Sequence, residues 1–170
     1  MLKGSIKYVF IVILVLMLLV GCSPQQSGTQ PKVALYAYHS EPVIFWDPSE
    51  TFSNESIVLN NIYEQLMRYD PLNDEYIYLL ATDYETSEDG MVWTFTLREG
   101  VKFHCGEEFD ANAVKYALSR TIEMGKGSSF IWDPVEEINV LDKYTIEFKL
   151  KYPAALDMII TAGYASHIFC

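Results

Sequence analysis

Ala81-Thr82-Asp83-Tyr84-Glu85-Thr86, the tetrapeptide Ser87-Glu88-Asp89-Gly90, and Val92-Trp93-Thr94-Phe95-Thr96-Leu97-Arg98 form the stretch whose reading decides the fold. Trp93, Phe95 and Leu97 alternate with Thr94, Thr96 and Arg98. That period of two places one apolar and one wet face on a strand. The Ser-Glu-Asp-Gly tetrapeptide supplies turn chemistry between two such runs, so the stretch reads as a β-hairpin. Glu99-Gly100 then turns the chain into Val101-Lys102-Phe103.

Downstream, Asp110 stands where an N-cap belongs, and Ala111 to about Met124 reads as a helix ended by Gly125. Val114, Ala117, Leu118 and Ile122 recur at helical spacing and form its buried stripe. A second hairpin is expected from Val135 to Leu150, turning near Asp142-Lys143, with Ile146, Phe148 and Leu150 on its apolar face. A short helix is expected from Ala154 to Thr161, after Pro153. Upstream, Val33 to Tyr38 is a short β-prone run, and His39 to Ser49, with Pro42 and Pro48, reads as a loop. Asn54 is expected to cap a helix running to about Arg68, with Ile57, Val58, Ile62, Leu66 and Met67 on one face. Tyr69 to Asp74 is a turn-rich break. Strand, helix, hairpin, helix, hairpin, helix means a local α+β fold.

The first residues address the chain to a compartment. Lys3 and Lys7 precede an unbroken apolar run from Tyr8 to Val20, which ends in Leu19-Val20-Gly21-Cys22. A charged start, a short apolar core and a small residue before the cut make a secretory signal over residues 1–21. The run falls short of the roughly 20 apolar residues a permanent span needs. Its ending resembles the bacterial lipobox, which implies a lipid on Cys22 and anchoring to the outside of a cell membrane. Residues 22–32 are mostly small or polar and read as a flexible tether.

The chain has 12 basic and 23 acidic residues, a net charge of −11. Removing the leader takes Lys3 and Lys7 and no acid, leaving about −13. No basic patch remains, so nucleic acid is not an expected partner. Hydrophobic residues make up 50% of the chain, enough for a folded core. Signatures of hydrolases, phosphate-binding loops and zinc helices are missing from the sequence, and His39, His104 and His167 are isolated. The residues point to no enzyme, no cofactor and no metal site. Cys105 and Cys170 could pair in an oxidising compartment or remain as thiols, and the sequence leaves both readings open.

From Ile62 the chain resembles a family. Ile62-Tyr63-Glu64-Gln65-Leu66-Met67-Arg68-Tyr69-Asp70 opens the pattern, and Leu80-Ala81-Thr82-Asp83-Tyr84-Glu85 continues it. Asp89-Gly90, Trp93-Thr94-Phe95-Thr96-Leu97-Arg98, Gly100-Val101-Lys102-Phe103-His104, Gly106 and the Ala111, Val114, Leu118, Arg120 series follow in order. Together they resemble the extracellular solute-binding proteins of family 5, the oligopeptide-, dipeptide- and nickel-binding receptors of ABC importers. Cys105 departs from that pattern, standing where the family usually has Asp or Asn.

The resemblance implies the N-terminal part of a bilobal, type II periplasmic-binding-protein-like fold, truncated, with an extra α+β domain inserted early. Residues 33–47 would give the first strand and loop of lobe one, 48–165 the inserted domain, and 166–170 the start of the return to lobe one. Glu50, Thr51, Phe52 and Ser53 would pair their backbone with an extended peptide, and Phe130 would add an aromatic wall. The implied partners are a peptide or other small solute, ABC permease subunits and the membrane through a lipid anchor, with the receptor itself a monomer. Nickel chelates or oligosaccharides are alternative ligands on the same fold. A standalone envelope docking lipoprotein is the alternative outside it.

Overall fold

The alternation in Val92–Leu97 is realised as an inner strand of a four-stranded antiparallel sheet in the computed structural model, which describes residues 45–50 and 53–170. The expected leader, the tether with Cys22, the Val33–Tyr38 strand, His39, Thr51 and Phe52 lie outside the described residues. The elements run α1 (Ser56–Leu59), β1 (Met67–Asp70), β2 (Glu75–Tyr78), β3 (Ala81–Thr86), β4 (Val92–Leu97) and α2 (Ala111–Met124). A 3₁₀ turn (Ser129–Trp132), β5 (Val135–Asp142), β6 (Thr145–Leu150) and α3 (Leu156–Ile160) complete them. Among the described residues no helix is long and apolar enough to cross a membrane.

Both expected hairpins form, and they dock edge to edge in the order β3-β4-β6-β5. Register aligns their apolar faces. Trp93 lies opposite Phe148 and Phe95 opposite Ile146, while Ile138 and Val140 extend the same two rows across β5. Tyr84, opposite Phe95, stacks on both Trp93 and Phe95 at 5.5 Å. Phe95, Ile146 and Phe148 are fully buried. Paired aromatic and β-branched residues on one face are what stabilises a sheet.

Helix α2 lies against β5 and β6. It begins where Asp110 accepts the backbone N–H groups of Asn112 and Ala113 at 2.8 and 3.0 Å. It ends where Gly125 takes a left-handed φ of 60°, a conformation Gly adopts at little steric cost. Ala111, Val114, Ala117, Leu118 and Thr121 are its buried face, and Ile122 packs at the margin.

The helix expected from Asn54 to Arg68 does not form. Only α1 is helical, Glu55 rather than Asn54 precedes it, and Met67–Asp70 is a strand paired with Glu75–Tyr78. The reason is local competition. Ile57, Val58 and Ile62 are β-branched and Asn60-Asn61 interrupts them, all weak helix formers. Asp70 meanwhile stabilises a tight turn, accepting Leu72 N–H and the Asn73 side-chain N–H, each at 2.9 Å. Asp74 adopts φ 55° there, the left-handed region that Asp tolerates better than most residues. The break at 69–74 is thus the turn of an additional hairpin. The last expected helix is shorter than its reading, spanning Leu156–Ile160.

Candidate functional site

Asp47, Pro48, Ser49 and Glu50 form a turn before the expected ligand loop. Ser49 N–H donates to Asp47 Oδ1 at 2.9 Å and Glu50 N–H to the Asp47 carbonyl at 3.1 Å. The last turns of α2 hold this segment from beneath. Arg120 donates both terminal nitrogens to the Asp47 carboxylate, at 2.7 and 2.6 Å. A two-pronged guanidinium–carboxylate pair fixes orientation as well as position. Thr121 donates to the Ala117 carbonyl at 3.0 Å, which leaves the Ser49 hydroxyl to donate to Thr121 Oγ1 at 2.9 Å. Lys126 binds Glu50 Oε1 at 2.9 Å.

The Arg120 hydrogen bonds hold the Asp47 carboxyl below its ordinary value of 3.8. A carboxylate with a depressed folded value stabilises the fold above that ordinary value and loses the contribution as pH falls through the folded one. The pair is therefore fully formed at neutral pH.

The same end of α2 holds a second segment. Arg120 lies 5.8 Å from the Phe169 ring centre, and Phe169 meets Tyr116 edge-on at 6.1 Å. Ser128 Oγ donates to the Tyr164 carbonyl at 2.8 Å, and Trp132 Nε1 to the Ala165 carbonyl at 3.1 Å. Residues 47–50 and 164–169 thus converge on one hub built from residues 116–132.

Of the expected ligand residues, Glu50 is half-buried and its carboxylate is taken by Lys126. Ser53 is exposed, its carbonyl accepting Ser56 N–H at 3.1 Å. Phe130 is 66% exposed, whereas Trp132 is 1% exposed. Core packing accounts for Trp132 and not for Phe130. Three residues separate Phe130 from Lys126, so the 3₁₀ turn and the Glu50 partner belong to one short segment.

A cavity of about 740 Å³ borders this hub at Phe169, walled by Tyr63, Phe103, His104, Phe109, Ile168 and Phe169 among others. Nothing in the residue pattern singled it out, because its walls come from segments far apart in the chain, residues 60–64, 80, 101–109 and 168–170. Close to it, His167 is 3% exposed. Its Nε2 pairs with Asn60 Oδ1 at 3.1 Å, and its Nδ1 has no partner among the described residues. Burial pushes His167 down to about 4, so the imidazole is neutral at physiological pH. Among the described residues no cluster of three His, Cys, Asp or Glu side chains could hold a metal ion.

Residues 75–169 match the family model described as bacterial extracellular solute-binding proteins, family 5 middle. A probable D,D-dipeptide-binding periplasmic protein of Escherichia coli (strain K12) is 31% identical over 114 residues, covering 64% of this chain. A di/tripeptide-binding protein of Pseudomonas aeruginosa (strain UCBPP-PA14) is 28% identical over 161 residues, covering 82%. The chain spans only 22% and 30% of the length of these two relatives. Among solved structures, a Brucella suis protein crystallised with Fe(III)-EDTA superposes with a TM-score of 0.66 at 27% identity. That match covers 72% of this chain and 25% of the other.

Proposed function

The chain belongs to family 5 of the bacterial extracellular solute-binding proteins, and on that premise we propose that it is part of a receptor that captures dipeptides or oligopeptides outside the cytoplasm and hands them to the permease of an ABC importer. The observation that carries the peptide reading is the pair of relatives named for di- and tripeptide ligands, one of them aligned over 82% of this chain. Binding, not covalent chemistry, is the activity of this proposal.

The hub at the end of α2 supports a hinged arrangement. Residues 48–165 would form the inserted domain, because the chain on either side of it meets at Arg120, through Asp47 before and Phe169 after. Domain closure of a clamp is commonly absorbed by a few residues at element ends. In this reading Glu50 to Ser53 offers backbone to an extended peptide, and main-chain pairing gives affinity with little side-chain selectivity. The Glu50–Lys126 pair ties the Glu50 side chain to the segment that follows α2. Phe130, exposed in the segment that follows Lys126, would form an aromatic wall. Cys22 would carry the lipid that keeps the receptor at the membrane, acting as a monomer.

A metal-chelate ligand is the second reading, favoured by the chelate-bound Brucella suis structure. One experiment separates the two. The native protein is isolated from its source envelope, denatured, and the released small molecules are identified by mass spectrometry. Short peptides are expected. A released metal chelate would move the second reading ahead, and an empty protein that turns over a substrate would overturn the receptor assignment.

A further inference from the structure

The contacts made by the end of α2 and the turn after it divide between two segments. Thr121 and Lys126 serve residues 47–50, through Ser49 and Glu50, each at 2.9 Å. Ser128 and Trp132 serve residues 164–169, through the carbonyls of Tyr164 and Ala165. Arg120 serves both. Its terminal nitrogens donate to the Asp47 carboxylate at 2.7 and 2.6 Å, and its guanidinium carbon sits over the Phe169 ring, 5.8 Å from the centre. A guanidinium can do both at once because its donors lie in its plane while its charge acts on an aromatic face. The two-pronged pair with Asp47 fixes the orientation of that plane. Tyr116, one turn earlier on α2, meets the Phe169 ring edge-on at 6.1 Å. A shift of Asp47 therefore turns the guanidinium against Phe169, and a shift of Phe169 is felt at Asp47. About a third of each side chain of the ion pair reaches solvent, so the pair can break without opening the core.

We propose that Arg120 is a positioning residue that couples residues 47–50, which lead into the proposed ligand loop, to residues 164–169. Loss of its partner in one segment loosens the other segment, and by linkage the effect is reciprocal. A role in ligand capture rests on the receptor reading above: peptide held by the loop steadies residues 164–169 through this side chain. The coupling itself rests on the geometry, and the test keeps the two apart.

Parent and variant proteins are isolated from the source envelope, and amide hydrogen exchange is read residue by residue by mass spectrometry. Glu50 N–H, held by the Asp47 carbonyl, reports on the first segment, and Ile168 N–H, held by the Glu64 carbonyl, on the second. Leu150 N–H, held by the Met91 carbonyl beside the sheet, is the reference that reports global opening. Relative to Leu150, F169L should speed exchange at Glu50 about threefold, the scale of one exposed cation–aromatic contact. D47N should speed exchange at Ile168 by a similar factor. R120K keeps the charge and loses the fork, so in its background neither substitution should reach across. Acceleration equal at all three amides, effects confined to the substituted segment, or the same crossing in R120K as in the parent would overturn the coupling.

The second arm titrates the same preparations with fluorescein-labelled trialanine. R120K should weaken the dissociation constant about fivefold at unchanged stoichiometry, within the usual range for a coupling residue. Ile146→Val trims a buried side chain in the sheet, away from the hub. It should lower the melting temperature and leave the dissociation constant alone. R120K binding as tightly as the parent would overturn the role in capture. A parent that shows the crossing in exchange but binds no trialanine would support the coupling and count against the peptide reading.

Discussion

Phe148→Ala is expected to lower the free energy of unfolding by about 3–5 kcal/mol, the range for deleting a fully buried aromatic ring. Phe148 is 0% exposed, and β6 has a partner strand on each side. Its ring meets Phe95 edge-on at 5.6 Å. It also lies opposite Trp93 in one neighbour and Ile138 in the other. Removing it leaves a void that sheet hydrogen bonding on both sides keeps from collapsing. A whole domain is stabilised by roughly 5–15 kcal/mol, so this loss is a large part of the total and should lower the urea midpoint markedly. Leu72→Ala is the matched control, since Leu72 is 93% exposed and its removal should change stability by under about 0.5 kcal/mol. Urea denaturation followed by tryptophan fluorescence measures both. A loss below about 1 kcal/mol for Phe148→Ala would mean the sheet face is not the core described here.

Acid should weaken this domain well above the range where carboxylates titrate, because of His167. Its ordinary value is 6.5 and burial pushes it down to about 4. The unfolded chain therefore takes up a proton that the folded chain refuses. Stability is complete above 6.5, falls as pH drops from 6.5 toward 4, and levels off below that. Each tenfold weakening of proton binding by the fold corresponds to about 1.4 kcal/mol, so roughly 2 kcal/mol should be lost by pH 5 and about 3 kcal/mol in full. His167→Gln keeps a donor for Asn60 Oδ1 and cannot be charged. Urea midpoints at pH 7.5, 6 and 5 should fall steeply for the parent and remain nearly level for the variant. Equal slopes would assign the acid sensitivity to other groups.

The parts of the fold visible in the sequence were those with a local cause. Asp110 and Gly125 bound α2 to the residue because capping is decided by the residues at the ends themselves. Trp93, Phe95 and Leu97, and likewise Ile146, Phe148 and Leu150, show their buried face in a period of two. Residues 54–68 misled because their apolar spacing fits a helix while turn chemistry at Asp70 to Asp74 favours a hairpin. That contest is settled by hydrogen bonds the pattern does not display.

The site was less visible. Glu50 and Ser53 are proposed through resemblance alone, and the hub beside Glu50 joins Asp47 to Arg120 across 73 positions. Nothing local in the sequence connects them. His167 looks like any isolated histidine until the fold buries it.

Photo-crosslinking from the proposed ligand loop in the native receptor decides whether this segment meets peptide at all. Benzoylphenylalanine is placed at Ser53 in one preparation and at Leu72, exposed on the β1–β2 turn, in another. Each is irradiated with fluorescein-labelled trialanine, with and without an excess of unlabelled peptide. Label should attach from position 53, vanish with the excess peptide, and never attach from position 72. Equal labelling at both positions, or no labelling from 53 by a receptor that demonstrably retains peptide, would remove the loop from the ligand site.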